Sequence, residues 1–239
     1  MSNISNISII ETEDGSSTLV SSNFEGQTYH SDRGAIAESK HVYTRFLKDG
    51  DRVLEIGFGS GLNALLSLES GYKLDYTSLE LYPIDMDTVR KLSFYNDSLE
   101  KMHISPWGEW INITENFRLR KIDTDITKPE SIPSYNDIYN SEDWDHRQLR
   151  GHLHAQLQCW YDIVFFDAFS PSVVPEQWTD EIFRRIAQLL RPGAMLLTYS
   201  AKGDVKRALR SAGFTVKRLQ GALGKHNMVQ AIFPSMCDE

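Results

Sequence analysis

Short apolar runs alternate with amphipathic stretches along most of this chain, and the alternation predicts strands and helices in turn. Arg52-Val-Leu-Glu-Ile56 reads as a strand running into glycines, and Asn63 to Glu69 as an apolar helix. Leu74 to Glu80 reads as a second strand, a helical stretch follows Pro83 to about Tyr95, and Phe117 to Ile122 reads as a third strand. Asp162-Ile-Val-Phe-Phe166 is almost wholly apolar, as a central parallel strand buried on both faces must be. From Pro175 to Leu190 the apolar residues Trp178, Ile182, Phe183, Ile186, Leu189 and Leu190 recur at helical spacing, which assigns them to the core, and Pro192-Gly193 is expected to stop that helix. Ala194 to Tyr199 then reads as a strand, Asp204 to Ser211 as a helix closed by Gly213, and Phe214 to Leu219 with Met228 to Phe233 as the last two strands. Strands alternating with helices are the pattern of an α/β fold, a doubly wound, mostly parallel sheet covered on both faces. Met1 to Ser8 reads as a frayed end, and Ser131 to Gln158 fits no template and reads as an insertion near the site or the surface.

Composition narrows this picture. The 239 residues suffice for one sizeable core and would cramp a second domain, so residues 51–239 read as the domain and residues 1–50 as a segment packed on it near the substrate mouth. Hydrophobic residues at 41% and charged residues at 24% are ordinary globular values. Cys159 and Cys237 make neither a disulfide framework nor a CxxC pair. The N-terminus lacks the basic flank and apolar stretch of a signal peptide, and no apolar run approaches the ~18 residues of a membrane span, so a cytoplasmic protein without a membrane partner is expected. A net charge of −8 argues against indiscriminate binding to nucleic acid. A local exception is the stretch that holds Lys202, Lys206, Arg207, Arg210, Lys217, Arg218 and Lys225 against the single acid Asp204, which reads either as a solvated face or as an RNA surface.

The chemistry begins where the first strand turns into a helix. Glu55-Ile-Gly57-Phe-Gly59-Ser-Gly61 provides the glycines that a tight turn and a close ligand require, but a dinucleotide fingerprint would want its last glycine at Leu62. Glu80 closes the second strand about 20 residues after the loop, where a carboxylate accepts hydrogen bonds from ribose hydroxyls. ExGxGxG resembles the first motif of class I S-adenosylmethionine (SAM)-dependent methyltransferases. That resemblance implies a Rossmann-like, seven-stranded sheet and SAM as cofactor, with Glu55, Gly57, Gly59, Gly61, Asn63, Glu80, Asp125 and Asp167 around it. Asp125 would meet the adenine amino group, with Asp123 as the competing residue and a plain turn aspartate as the other reading. Asp167-Ala-Phe-Ser-Pro171 follows the buried fourth strand, at the edge where open parallel sheets bind ligands, although Ser170-Pro171 also reads as a plain helix-initiating turn.

A wider set of residues runs in the same order as in a narrower family. Thr12-Glu-Asp-Gly-Ser16, Tyr29-His-Ser31, Gly34-Ala35, Glu38-Ser39, His41-Val42, Leu62-Asn63, Ser105-Pro-Trp-Gly-Glu109, Asp167-Ala-Phe-Ser-Pro171, Trp178-Thr179, Thr198-Tyr-Ser-Ala-Lys-Gly203, Val205-Lys-Arg207, Gly213-Phe214 and Gly224-Lys225 with Met228 resemble the methyltransferase domain of the tRNA-modifying enzyme MnmC and its stand-alone, MnmD-like relatives. The likeness runs from about residue 11 to 234, and it departs at Gly224-Lys-His-Asn-Met228, where the family often reads Gly-Lys-Arg-Glu-Met. Nothing resembles the FAD-dependent oxidase half of the fused enzyme, so a separate enzyme would supply the precursor or a different precursor would be used.

The resemblance implies methylation of 5-aminomethyl-uridine, usually 2-thiolated, at the wobble position in the tRNA anticodon loop. Asp167 would take the amine's proton, Phe169 would pack on the extruded base, and Lys225 with Lys202 would hold phosphates or oppose a second positive charge on the amine. His30, Glu38 and His41 would line the mouth or pack the leader. His152 and His154 share a strand face without a carboxylate at ligand spacing, which excludes a metal site. Rival readings are a SAM enzyme acting on a small amine or other metabolite, a non-catalytic RNA- or protein-binding module on the same fold, and last a nicotinamide dehydrogenase, disfavoured by Leu62.

Overall fold

In the computed structural model, the structure describes residues 7–128, 161–222, 224 and 227–234. Ser131 to Gln158, His152, His154 and Lys225 lie wholly outside the described residues. Three short strands, β1 (Ile7–Glu11), β2 (Ser17–Ser21) and β3 (Gln27–Thr28), form an antiparallel sheet of their own. Ile7 and Ser8 therefore open a strand instead of fraying, because Ile7 to Glu11 pair with Ser21 to Ser17. The helix α1 (Ala35–Val42) follows; its first backbone N–H groups are met by the β1–β2 turn, where Ser16 Oγ accepts from Ala35 N (3.1 Å) and Asp14 Oδ2 from Ala37 N (3.0 Å).

The main sheet comprises β4 (Arg52–Ile56), β5 (Leu74–Glu80), β6 (Ile111–Asn112), β7 (Phe117–Asp123), β8 (Tyr161–Phe166), β9 (Leu190–Thr198), β10 (Thr215–Leu219) and β11 (Met228–Ile232). Their order is β10-β11-β9-β8-β4-β5-β7-β6. The inner pairs β4–β5, β4–β8, β5–β7 and β8–β9 are parallel, and the edges are antiparallel. The sheet has one strand more than expected because two residues, Ile111 and Asn112, pair back onto β7.

Every residue of β8 is buried, and alternation sends its side chains to two cores. Val164 and Phe166 join Trp178, Phe183 and Leu196 on one face; Ile163 and Phe165 join Tyr43, Tyr76 and Phe117 on the other. Burying each phenylalanine stabilises the fold by about 2 kcal/mol.

Three helical expectations need correction. After Pro83 only α3 (Met86–Val89) forms, capped by the Asp85 carboxylate accepting from Thr88 N (2.9 Å). An unforeseen helix, α4 (Asp97–Ile104), starts at Asn96, whose side chain accepts from Leu99 N (2.9 Å). The helix α5 (Asp180–Ala187) is capped by Thr179 and ends before Leu190, so Pro192-Gly193 lies inside β9, where Gly193 takes φ +82° and donates to Phe233 O (2.9 Å). The proline and glycine fall where β9 departs from regular pairing with β8, which is where a strand tolerates them.

Candidate active site

A cavity of about 260 Å³ opens at the C-terminal ends of β4, β5, β7 and β8, under a roof from the N-terminal segment. Gly57 and Gly59 line it after β4, Glu80 and Tyr82 after β5, Thr124 and Asp125 after β7, and Asp167 and Phe169 after β8, while Tyr29, His30 and Glu38 cover it. This is the edge at which open parallel sheets bind ligands.

Backbone geometry explains the first and last glycines of the loop. At Gly57 φ is +92°, and a β-carbon there would lie 3.0 Å from the Asp167 carbonyl oxygen. Gly61, at φ +77°, starts the helix α2 (Leu62–Glu69), and a β-carbon would press on Leu99 (2.8 Å) and His103 (3.1 Å). Gly57 thus serves the cavity, whereas Gly61 serves packing behind the loop. That packing includes Lys121, which is buried under the rings of Trp107 (4.6 Å) and Phe58 (5.7 Å), donates to His103 O (2.6 Å), and is pulled down to about 8 by burial.

Glu80 Oε2 accepts from Gly59 N (2.8 Å) and Oε1 from Tyr82 N (2.7 Å), so its carboxylate fastens the loop to β5 while facing the cavity. Burial raises its carboxyl above the usual range, and backbone N–H groups oppose the rise. Of the two candidates after β7, Asp125 lines the cavity and Asp123 does not. Asp125 Oδ1 also accepts from the N–H (3.0 Å) and hydroxyl (2.6 Å) of Thr127. Glu55 and Asn63, expected beside the cofactor, do not line the cavity; both are buried behind it.

Asp167 gathers several polar contacts at the end of β8. Its N–H donates to Ile56 O (3.1 Å), which seats it against the glycine turn. Tyr43 Oη donates to Oδ1 (2.8 Å) and Asn63 Nδ2 to Oδ2 (2.8 Å), with His30 Nδ1 3.7 Å from Oδ2. Burial raises the Asp167 carboxyl, and His30, Tyr43 and Asn63 hold the rise in check. Asp32, Glu38, Glu80, Asp125 and Asp167 all line the cavity, with no lysine or arginine among the described lining residues. The described lining is therefore acidic, which favours positive charge in a ligand.

Phe169 stacks on Phe24 at 4.2 Å and meets Tyr29 edge-on at 5.1 Å, and Tyr82 adds to Phe24 at 5.8 Å. Phe24, Tyr43 and Tyr82 escaped the sequence reading, because single aromatics far apart along the chain carry no shared spacing. Tyr199, from the motif after β9, lines the cavity and donates to Ala168 O (2.9 Å). His41 lies outside the cavity lining, with Nε2 2.8 Å from Gln220 O. Lys202 is exposed beside the helix α6 (Gly203–Ser211), and Arg207 on that helix pairs with Asp204.

The comparisons with known proteins agree with this geometry. A family model described as S-adenosyl-L-methionine-dependent methyltransferase matches residues 149–234. The tRNA 5-methylaminomethyl-2-thiouridine biosynthesis bifunctional protein MnmC of Ralstonia nicotianae is 27% identical over 226 residues, covering 87% of this chain and 32% of that protein. MnmC of Pseudomonas fluorescens is 29% identical over 225 residues, with 86% and 32% covered. Among solved structures, MnmC2 from Aquifex aeolicus gives a TM-score of 0.71 at 23% identity, covering 97% of this chain and 73% of that one. This chain has the class I SAM-dependent methyltransferase fold and is similar to MnmC proteins over most of its length. It spans 32% of the length of the MnmC proteins it matches. Spermidine synthase from Thermotoga maritima shares the fold more distantly, at a TM-score of 0.58 and 14% identity, covering 100% of this chain and 72% of that one.

SAM is the cofactor of this methyltransferase family. The site fits it: a glycine turn without room for side chains stands beside carboxylates suited to a cation that also carries hydroxyls. Among the described residues, no helix is long and apolar enough to cross a membrane.

Proposed function

We propose that this chain is a SAM-dependent N-methyltransferase that converts 5-aminomethyl-(2-thio)uridine at the tRNA wobble position into the 5-methylaminomethyl form. Bound SAM supplies an electrophilic methyl group on a sulfonium. The residues that would hold it are Gly57, Gly59, Glu80 and Asp125. What remains for this chain is to present a nitrogen with a free lone pair, and an alkylamine with a pKa near ~10 arrives as an ammonium without one. Asp167 faces the cavity with its charge held by neutral donors, so it attracts that ammonium and accepts its proton, leaving the nitrogen lone pair available.

The observation that carries this reading is that the Asp167 carboxylate shares one cavity with the glycine turn and Glu80. The names of the MnmC relatives, which give the biosynthesis of tRNA 5-methylaminomethyl-2-thiouridine, support an aminomethyl-uridine acceptor, and the aromatic wall of Phe169, Tyr29 and Phe24 gives an unstacked base a face to pack on. In this reading the segment before residue 51 is the acceptor side of the domain that follows it, and the protein works in the cytoplasm.

The acidic lining also suits a small amine such as spermidine as acceptor, and one assay separates the two. Radiolabelled SAM is incubated with the protein and either tRNA from cells lacking this gene or a panel of small amines. Label in the wobble nucleoside is expected; label only on small amines would replace the tRNA assignment.

A further inference from the structure

Behind Asp167 lies a buried polar chain that cofactor contact does not explain. Asn63 stands on the first turn of α2, two residues after Gly61, and is 2% exposed. Its amide donates to Asp167 Oδ2 at 2.8 Å while its own Oδ1 has no hydrogen-bond partner among the described residues. Glu55, next to last in β4, is fully buried; Ser78 Oγ donates to its Oε2 (2.7 Å), and its Oε1 also lacks a partner. Asn63, Tyr76 and Asp167 all act on this carboxyl.

An ionised Glu55 would set a second buried negative charge near Asp167. Burial instead pushes Glu55 up to about 8, so it keeps its proton at neutral pH. Tyr76 Oη, which also acts on this carboxyl, is likewise without a partner among the described residues, and the Glu55 proton adds a second donor beside the two open acceptors. The hydrogen-bond donors on Asp167, Tyr43 Oη and Asn63 Nδ2, are both uncharged and fix the direction of the carboxylate without neutralising it, while His30 Nδ1, 3.7 Å from Oδ2, can add positive charge beside it. A buried lysine or arginine in either place would orient it equally well and remove its attraction for an ammonium.

Resting on the amine-methyltransferase reading, we propose that Asn63 is a positioning residue: it aims the Asp167 carboxylate at the acceptor nitrogen and is itself held by the Glu55 carboxyl beneath it. Because Asn63 follows the glycine loop directly, the same turn that receives the cofactor sets the acceptor carboxylate.

The test compares wild type, Asn63→Ala and Tyr43→Phe, each also in an Asp167→Asn background. SAM affinity is read by calorimetry, and kcat and KM with tRNA bearing aminomethyl-uridine. Asn63→Ala is expected to lower kcat by about ten- to a hundredfold while SAM affinity and KM change less than about threefold. In the Asp167→Asn background the same substitution should cost little more, whereas a merely structural role would carry its full loss into that background. Tyr43→Phe removes one hydroxyl and carries the test if the Asn63 variant does not fold. Wild-type transfer to tRNA with both variants at wild-type kcat overturns the positioning role alone. Absence of transfer by the wild type overturns the amine reading, and the role with it.

Discussion

The two ends of β8 hold aspartates of nearly equal burial that are treated in opposite ways. At the start, Asp162 has a side chain 4% exposed, accepts from Arg52 N (2.7 Å), and forms ion pairs with Arg52 and Arg191. At the far end, Asp167 has a side chain 8% exposed and is held by an amide and a phenol, with an imidazole at 3.7 Å. Two guanidinium groups leave Asp162 little charge to offer anything else; neutral donors leave Asp167 its charge and aim it. A buried carboxylate paired with cations closes a fold, whereas one oriented by neutral groups in a cavity is equipped to act on a ligand.

The largest effect should come from Asp167→Ala. Methyl transfer is expected to fall on the order of a thousandfold while SAM still binds by calorimetry; retention of a tenth or more of the activity would remove Asp167 from proton transfer. Asp162→Ala should show the converse. It strands the Arg52 N–H and two arginines, so stability should drop by about 1–3 kcal/mol in denaturant unfolding while kcat of the folded fraction stays within about twofold. A large kcat loss there would erase the contrast between the two ends.

The smallest effect concerns Glu55, whose proton is retained up to about 8 against an ordinary value of 4.5. Folding therefore takes up a proton between those values, and this group's contribution is complete below the ordinary carboxylate range and lost as pH rises through 8. Glu55→Gln should flatten the decline of melting temperature from about pH 6 to about pH 9. Lys121, lowered to about 8, and His103, lowered to about 4, are common to both proteins and cancel in the difference. An unchanged slope would mean that Glu55 is already ionised.

The same contrast explains what could be read from the chain. The strands β4, β5 and β8 announced themselves because burial on both faces demands continuous apolar runs, and Gly57, Glu80 and Asp167 were legible as the polar or flexible residues that end them. Glu55 and Asn63 were legible as unusual but not as to where they point: a motif fixes backbone neighbours, and the step that turns Asn63 toward Asp167 is packing in three dimensions. The roof was the least legible part. Phe24 and Tyr29 reach Phe169, and Phe24 reaches Tyr82, only because the small β1–β3 sheet folds over the main sheet, and none of them shares a period with another. The helix α4 opens on the polar run Asn96-Asp97-Ser98, whose side chains compete for backbone groups, and Asn96 serves as its cap.

The central claim is that one cavity brings a cofactor methyl and an acceptor nitrogen together at Asp167. A crystal structure with SAM or its demethylated product bound tests it directly. Ligand density is expected along Gly57, Gly59 and Glu80, with the sulfur directed toward Asp167. Density elsewhere on the molecule, or a sulfur turned away from that carboxylate, would contradict it.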